Sequence, residues 1–284
     1  MNILLTGSGG FVGKNLKTYL EDKYALLTPR SFELDLTDKE AVSEYFSRHN
    51  IDLIIHCGTV GGARGAEDKD TTVQDNILMV ENLAAVRNKS VRIILFGSGA
   101  MYCKSRHLEK INEGEIGKVT PKDLYGQSKM LIAQKVQTEL KDALCLNIFA
   151  CYGQSEHPTR FPTYAISQNI NRKAIEINQN VVFDYLFVED MQRIVHHFIE
   201  NKSREKVLNI TPKTSISLVQ IAQIVNEING FESEIIIKNP NLNNEYTGCN
   251  KRLLKEMPHL KFTDYKTGLK RLYSHLLRSQ QDCC

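Results

Sequence analysis

A tyrosine and a lysine four residues apart, Tyr125 and Lys129, have the types and the spacing for proton transfer. On a helix, this spacing puts both side chains on one face, so that an ammonium lies near a phenol. A positive charge there favours the phenolate and lowers a tyrosine pKa from ~10 toward the range of a general acid or base. The same spacing is common by chance on helix surfaces, so the pair needs support from other residues.

Ser98 supplies part of that support, because it follows a predicted buried strand from Val91 to Phe96. A serine at the carboxyl end of a sheet strand can donate a hydrogen bond to the substrate oxygen that meets the phenol. Together, Ser98, Tyr125 and Lys129 predict a catalytic site that stabilises and protonates a carbonyl oxygen as negative charge develops on it.

The amino-terminal segment predicts where a hydride donor would bind. Ile3–Leu5 is a short apolar run typical of a strand covered on both faces, and Leu16 and Leu20 share one face of a following helix. A glycine turn between them would bring backbone N–H groups and the positive helix end against a pyrophosphate. The predicted dinucleotide contacts are Gly7, Gly9, Gly10, Phe11, Val12 and Gly13. The alternative is a turn with a purely structural role.

Arg30 predicts which dinucleotide binds. It follows the apolar strand Tyr24–Thr28, where a doubly wound nucleotide fold places the group that meets the adenosine ribose. An acidic residue there suits the 2′-OH of NAD, whereas an arginine suits the 2′-phosphate of NADP. We therefore expect NADP(H) rather than NAD(H), the alternative being that Arg30 is a solvated surface residue.

Strands and helices alternate along the following residues. Leu34–Asp38 is predicted to be a short strand that turns into a helix capped by Thr37 or Asp38, with Asp35 beside the adenine amino group. Ile51–His56 is the next predicted strand. The small residues after it would let a ligand approach the backbone. Further cofactor contacts are predicted at Asp35, Leu36, Cys57, Gly58, Thr59 and Asn76.

This alternation predicts the fold class. A helix is expected over residues 71–87, between the strand that ends at His56 and the strand that begins at Val91. The order β-α-β-α favours an α/β fold in which helices cover both faces of a doubly wound parallel sheet of the Rossmann type.

Composition excludes several classes of function. A net charge of +3 with 24% charged residues offers no basic stripe for nucleic acid, and no apolar run approaches the ~20 residues of a membrane helix. We therefore expect a cytoplasmic protein with a small-molecule partner. His56 and the pair His196-His197 lack ligand partners at metal spacing, and the cysteines form no CxxC pair. No metal is expected, the thiols are expected to be reduced and mostly buried, and Cys283-Cys284 is predicted to be a frayed tail.

The order glycine turn, Ser98, Tyr125, Lys129 resembles the short-chain dehydrogenase/reductase superfamily over nearly the whole chain. Within it, the sequence resembles the extended class that acts on nucleotide-diphosphate sugars, the NAD-dependent epimerase/dehydratase family. The segments that carry this likeness are Asp35–Asp38, Tyr102, Asp184–Met191, the strand Leu208–Ile210 and the helix Leu218–Ile228. The resemblance implies a nicotinamide-binding domain over residues 1–155, an interleaved nucleotide-sugar-binding α/β region over 156–284, and a homodimer.

A narrower resemblance, to the GDP-L-fucose synthases, implies epimerisation followed by reduction with NADPH. Two departures argue against the epimerisation: Ala100 replaces that family's cysteine, and the shortened loop does not clearly align His157 with its histidine. Phe183 replaces an arginine expected to bind the diphosphate, and Ala150 replaces an asparagine. The predicted substrate-binding residues are Val60, Gly99, Arg160, Phe161, Arg172 and Lys173.

The sequence therefore predicts reduction of the C4 ketone of a nucleotide-diphosphate 4-keto-6-deoxy sugar, in deoxysugar or surface polysaccharide biosynthesis. Tyr125 would protonate the alkoxide, Lys129 would hold the nicotinamide ribose, and Ser98 would orient the carbonyl. The alternatives are a bifunctional epimerase/reductase, an NAD-dependent epimerase or dehydratase, and a non-catalytic NADP-binding sensor. The nucleotide base, the sugar and the configuration at C4 stay open.

Overall fold

Six parallel strands form the central sheet of the computed structural model, which describes residues 1–63, 65–88 and 90–281. From one edge to the other they are β2 (Ala25–Leu27), β1 (Asn2–Thr6), β3 (Leu53–His56), β4 (Arg92–Ser98), β6 (Ala143–Ile148) and β11 (Val207–Asn209). The chain moves outward from β1 to β2 and then returns past β1 to β3, so the sheet is doubly wound. The predicted α/β class is confirmed.

Helices cover both faces of this sheet. On one face lie α1 (Phe11–Leu20) and α6 (Val188–Glu200), and on the other α2 (Lys39–Arg48), α3 (Thr72–Val86) and α4 (Leu124–Thr138). Side chains of a strand alternate between faces, so Ile3 and Leu5 pack with α1 while Leu4 packs with α2 and α3. Leu16 and Leu20 are fully buried, as their spacing predicts.

Shorter strands build a smaller region at the carboxyl ends of the central strands. A four-stranded sheet has the order β12 (Ile216–Ser217), β9 (Val182–Phe183), β14 (Tyr246–Gly248) and β5 (Leu108–Ile111). Two further pairs are β7 (Ala150–Tyr152) with β10 (Tyr185–Phe187), and β8 (Ile175–Gln179) with β13 (Ile235–Asn239). The helices here are α5 (Phe161–Ile170), α7 (Leu218–Asn229), α8 (Lys251–Glu256) and α9 (Tyr265–Gln281), and short 3₁₀ helices span Gly99–Tyr102 and Glu113–Glu115.

The two regions exchange elements across the predicted boundary at residue 155. The strand at 208–210, assigned from the sequence to the substrate half, instead belongs to β11, which pairs with β6 in the central sheet. Conversely, β5 lies before the boundary and pairs with β14 of the smaller sheet. The segment 184–191 does form the expected strand-to-helix unit, as β10 and α6.

One predicted strand is absent. Residues 34 and 35 have no regular secondary structure and Leu36 begins a turn, so this segment does not pair with the sheet, although Leu34 and Leu36 are buried. Their apolar alternation therefore reflects packing against the helices beside β2. The predicted cap of the next helix is confirmed, because the Asp38 carboxylate accepts a hydrogen bond from the Ala41 N–H at 3.0 Å.

The cysteines and histidines considered as possible metal or modification sites have structural surroundings. Five cysteines are free thiols, of which Cys103 and Cys145 are buried, while Cys283-Cys284 lies outside the described residues. His196 hydrogen-bonds the hydroxyls of Tyr19 and Tyr24. Among the described residues, no cluster of His, Cys, Asp or Glu could hold a metal ion, and no helix is long and apolar enough to cross a membrane.

Candidate active site

The glycine turn between β1 and α1 has the backbone geometry of a pyrophosphate cradle. Gly7 has φ of +69°, and a Cβ on it would lie 2.5 Å from the Gly58 nitrogen. A Cβ on Gly13 would lie 2.2 Å from the Gly7 carbonyl oxygen, so a side chain is excluded there as well. Among the described residues, no side chain caps α1 at Gly10. The N–H groups of Phe11 and Val12 therefore face outward with the positive end of the helix, which fits a nicotinamide dinucleotide.

Arg30 lies against this turn. A Cβ on Gly9 would be 3.1 Å from its Nη1 atom, so the guanidinium covers the outer side of the turn. Asp35 is exposed, and hydrogen bonds from the Thr37 hydroxyl and N–H lower the pKa of its carboxyl. Leu36 is buried, with its carbonyl accepting a hydrogen bond from Asn82. The arrangement places one positive group where the adenosine end of a dinucleotide would extend from the turn.

Ser98 ends β4 at the carboxyl edge of the sheet. Its Oγ atom accepts a hydrogen bond from the Ala100 N–H at 3.2 Å, which makes it the cap of the 3₁₀ helix that follows. Tyr125 lies in the first turn of α4, which is capped by Asp123. Both Ser98 and Tyr125 line one large cleft, so the structure brings the two predicted oxygen-binding groups together.

Lys129 is buried one helical turn after Tyr125, with its Nζ atom 5.5 Å from the centre of the tyrosine ring. The ammonium donates a hydrogen bond to the Phe96 carbonyl oxygen at 3.0 Å. Burial and the charge of Lys129 lower the pKa of His56 to about 3, so this histidine is neutral, and its ring hydrogen-bonds the Thr6 hydroxyl at 2.7 Å. Burial raises the pKa of the Cys57 thiol, which keeps it protonated. Lys129 therefore places a positive charge at the carboxyl ends of β3 and β4.

Asn76 organises the loop after β3. Its amide oxygen accepts hydrogen bonds from the Val60 N–H at 2.8 Å and the Thr59 hydroxyl at 3.2 Å. Its amide nitrogen donates to the Val60 carbonyl at 2.9 Å and to the Ser128 hydroxyl at 3.1 Å. These bonds tie the loop to α4, so the buried Asn76 side chain positions the residues predicted to meet the cofactor.

Asp68 holds the same loop against Tyr125. Its two carboxylate oxygens accept hydrogen bonds from the Gly62 N–H and the Tyr125 N–H, each at 2.8 Å. Gly62 has φ of +71° and lies on the tyrosine ring, because a Cβ on it would be 2.8 Å from two ring atoms. Asp68 is thus a positioning residue for Tyr125, and no local sequence pattern indicates this role.

Replacing Asp68 with alanine is expected to lower kcat roughly two- to tenfold, because loss of the two hydrogen bonds loosens Gly62 and the tyrosine ring. The melting temperature should change little, since Asp123 still caps α4. Steady-state kinetics and thermal unfolding would measure both effects. Asp70→Ala, in the same segment but outside the cleft lining, is the matched control, and equal kcat values for the two variants would contradict the role.

The cleft that contains Ser98 and Tyr125 has a volume of about 1370 Å³. Its walls come from the central sheet, the loop after β3, α5 and the smaller sheet. Of the predicted substrate residues, Arg160 and Phe161 line it, whereas Val60, Gly99, Arg172 and Lys173 are not among its described lining residues. The Arg172 guanidinium instead lies over the Phe231 ring, 5.5 Å from its centre. Of the three positively charged residues among these predictions, Arg160 is therefore the one in the described lining of the cleft.

Tyr246 is a cleft residue that sequence reasoning missed. Its phenol oxygen would be 2.6 Å from a Cβ on Gly99, and Phe149 would be 2.7 Å from the same atom, so protein groups occupy the space beside this glycine. Tyr246 lies on β14, 121 positions after Tyr125 in the sequence, with no motif around it.

 The pairing of β14 with β5 and β9 brings this distant residue to the site.

Comparison with known proteins agrees with this geometry. A model of the NAD dependent epimerase/dehydratase family matches residues 3–211. The chain belongs to this family. Members of the NAD dependent epimerase/dehydratase family bind a nicotinamide cofactor, in keeping with the glycine turn between β1 and α1.

Relatives within the family act on nucleotide sugars, according to their names. Over 264 residues the chain is 25% identical to GDP-L-colitose synthase of Yersinia pseudotuberculosis, covering 83% of this chain and 84% of the relative. Over 105 residues it is 33% identical to GDP-L-fucose synthase of Azorhizobium caulinodans, covering 35% of this chain and 34% of the relative. The solved structure of MlghC, GDP-mannoheptose C4 reductase from Campylobacter jejuni with NADP bound, has a TM-score of 0.82 at 18% identity and covers 97% of this chain and 98% of its own.

Proposed function

We propose that this protein uses NADPH to reduce the C4 ketone of a nucleotide-diphosphate 4-keto-6-deoxy sugar, without epimerising the sugar. The observation that carries the proposal is the meeting of Ser98 and Tyr125 in one cleft, with the Lys129 ammonium beneath the tyrosine ring. The names of the relatives, a nucleotide-sugar synthase and a C4 reductase among them, support the same chemistry.

The three side chains divide the work of ketone reduction. NADPH, when bound, supplies the hydride. Ser98 donates a hydrogen bond to the carbonyl oxygen, and Tyr125 gives that oxygen a proton as negative charge grows on it. Lys129 has three N–H donors, of which one serves the Phe96 carbonyl, so the others can hold the nicotinamide ribose and the phenol oxygen.

Arg30 and Arg160 would hold the two anionic ends of the ligands. The Arg30 guanidinium beside Gly9 supports binding of the 2′-phosphate of NADPH. Arg160 precedes α5 at the cleft wall, where it could pair with the substrate diphosphate, a role that Phe183 cannot fill. The polar side chains farther along the cleft include Asn178, Gln179, Asn243 and Asn244, which suit a nucleoside.

Neither position that departs from the fucose-synthase pattern brings a proton-transfer group to the described lining of the cleft. Ala100 lines it with a methyl group, which cannot accept a proton. His157 is not among the described lining residues, and its Nδ1 atom accepts a hydrogen bond from the Thr159 N–H. The carboxylates of Asp68 and Asp123, which also line the cleft, accept hydrogen bonds from backbone N–H groups. This arrangement favours reduction without proton exchange at carbon.

Reaction in deuterated water tests the proposal. The protein, NADPH and a panel of GDP-, CDP-, dTDP- and UDP-linked 4-keto-6-deoxy sugars are combined, and the products are examined by NMR. We expect one NADPH to be oxidised for each ketone reduced, with a new C4–H that derives from NADPH. Deuterium at C3 and C5 should not exceed the level in a reaction without enzyme.

Three outcomes would contradict the proposal in different ways. Deuterium with inverted configuration at C3 or C5 would favour a bifunctional epimerase/reductase, with His157 and the buried Glu156 as the first residues to replace. Conversion of the sugar without net oxidation of NADPH would favour an epimerase or dehydratase that retains its cofactor. NADPH binding without turnover of any sugar would favour a non-catalytic NADP-binding sensor.

The cytoplasmic location and the homodimer stay predictions.

A further inference from the structure

Tyr246 reaches the active site from the smaller sheet. Its backbone pairs with Leu108 of β5 and Phe183 of β9, so two strands fix its position along the cleft. Its ring packs against Phe149, with ring centres 5.2 Å apart, and against Phe183, with ring centres 5.8 Å apart. The aromatic contacts hold the ring, while its hydroxyl points to the end of β4.

At the end of β4 the phenol meets Ser98. The Ser98 hydroxyl lies close enough to the phenol to lower its pKa, and the phenol oxygen would be 2.6 Å from a Cβ on Gly99, the next residue. A serine hydroxyl has one donor and two acceptor positions. The Ala100 N–H already occupies one acceptor position of Ser98. If the phenol donates to the second acceptor position, both acceptor positions of Ser98 are occupied. The serine O–H is then free to donate to a substrate oxygen.

We propose that Tyr246 donates a hydrogen bond to Ser98 and thereby directs the serine proton toward the substrate carbonyl oxygen. Tyr246 is a positioning residue in this view, because it acts through Ser98 and transfers no proton. The inference rests on the proposed ketone reduction, in which Ser98 stabilises the charge that develops on the carbonyl oxygen.

The surroundings of Tyr246 favour the donor role. Burial raises the pKa of its phenol, and the charges of Tyr125 and Asp123 raise it further, while the nearby Ser98 hydroxyl and the charge of Arg160 oppose this change. The phenol therefore keeps its proton at neutral pH and is always able to donate it in a hydrogen bond.

A double-mutant cycle with Tyr246→Phe and Ser98→Ala tests the inference. Phenylalanine keeps the ring contacts with Phe149 and Phe183 and removes only the hydroxyl. In the otherwise natural protein, Tyr246→Phe is expected to lower kcat about tenfold, with little change in KM or in NADPH affinity. In the Ser98→Ala background it should change the rate less than about twofold, because there is no serine proton to direct. Single-turnover oxidation of bound NADPH provides the rates of slow variants.

Tyr273→Phe is the matched control, because it removes a buried phenol that donates to Asn169 at 3.2 Å outside the cleft. It should leave kcat and KM unchanged. An unchanged kcat in Tyr246→Phe, or equal effects of the substitution with and without Ser98, would overturn the inference alone. A rise in KM with unchanged kcat would also overturn it and indicate a direct sugar contact. Failure of the unmodified protein to reduce any 4-keto sugar would overturn the proposed function, and the inference with it.

Discussion

Tyr125→Phe is expected to lower kcat for ketone reduction by at least about a hundredfold, because a positioned acid contributes that much to proton transfer. In the proposed mechanism the phenol oxygen acts on the substrate, and this substitution removes it while keeping the ring that packs on Gly62. NADPH affinity should therefore stay close to that of the unmodified protein. Stopped-flow measurement of NADPH oxidation and a fluorescence titration of NADPH would determine the two quantities.

Lys129→Ala and Tyr273→Phe are the comparisons for this result. Lys129→Ala should reduce both turnover and NADPH affinity, because the proposed role of its ammonium is to hold the nicotinamide ribose and the Tyr125 phenol. Tyr273→Phe should reduce neither, since its hydroxyl bonds Asn169 away from the cleft. Substantial ketone reduction by Tyr125→Phe would remove this residue from the proposed mechanism.

Arg30→Ala is expected to weaken NADPH binding roughly 10- to 150-fold, which corresponds to loss of a charge-assisted hydrogen bond of about 1.5–3 kcal/mol. NADH has no 2′-phosphate, so its dissociation constant should change less than about twofold. Titration of the protein with each cofactor, monitored by nicotinamide fluorescence at constant ionic strength, would measure the two dissociation constants.

Arg48→Ala is the matched control for charge, because Arg48 is paired with Glu44 on α2 and lies outside the glycine turn. It should leave the preference for NADPH unchanged. Tighter binding of NADH than of NADPH by the unmodified protein would contradict the role of Arg30. Equal weakening of both cofactors by Arg30→Ala would instead indicate that this side chain supports the shape of the turn.

Local sequence determined much of the nucleotide-binding half. The apolar run at Ile3–Leu5 and the glycines after it specify a buried strand and a sharp turn, because each depends on residues only a few positions apart. The same holds for the Tyr125 and Lys129 pair, whose four-residue spacing puts both groups on one face of α4. The structure confirms the predicted strand, turn and helices. The chemical roles of these residues stay predictions.

Patterns that depend on distant partners were less informative. Leu34 and Leu36 alternate as in a strand, yet they are buried without joining the sheet, because the same alternation satisfies packing beneath helices. The strand that became β11 has an apolar pattern that fits either region. Only its pairing with β6 assigns it to the central sheet.

The residues of the candidate active site differ in the same way: some can be predicted from local sequence and others only from tertiary structure. Sequence order alone predicted Ser98, Tyr125 and Lys129 as catalytic residues, and the structure brings them together at one cleft without testing their roles. Tertiary structure decided which neighbours lie beside them: the Asp68 carboxylate holds Tyr125 through a loop, and Tyr246 lines the same cleft as Ser98 because β14 pairs with β5. Such contacts join residues far apart in sequence, and their geometry depends on strand register and loop closure, which no local spacing encodes.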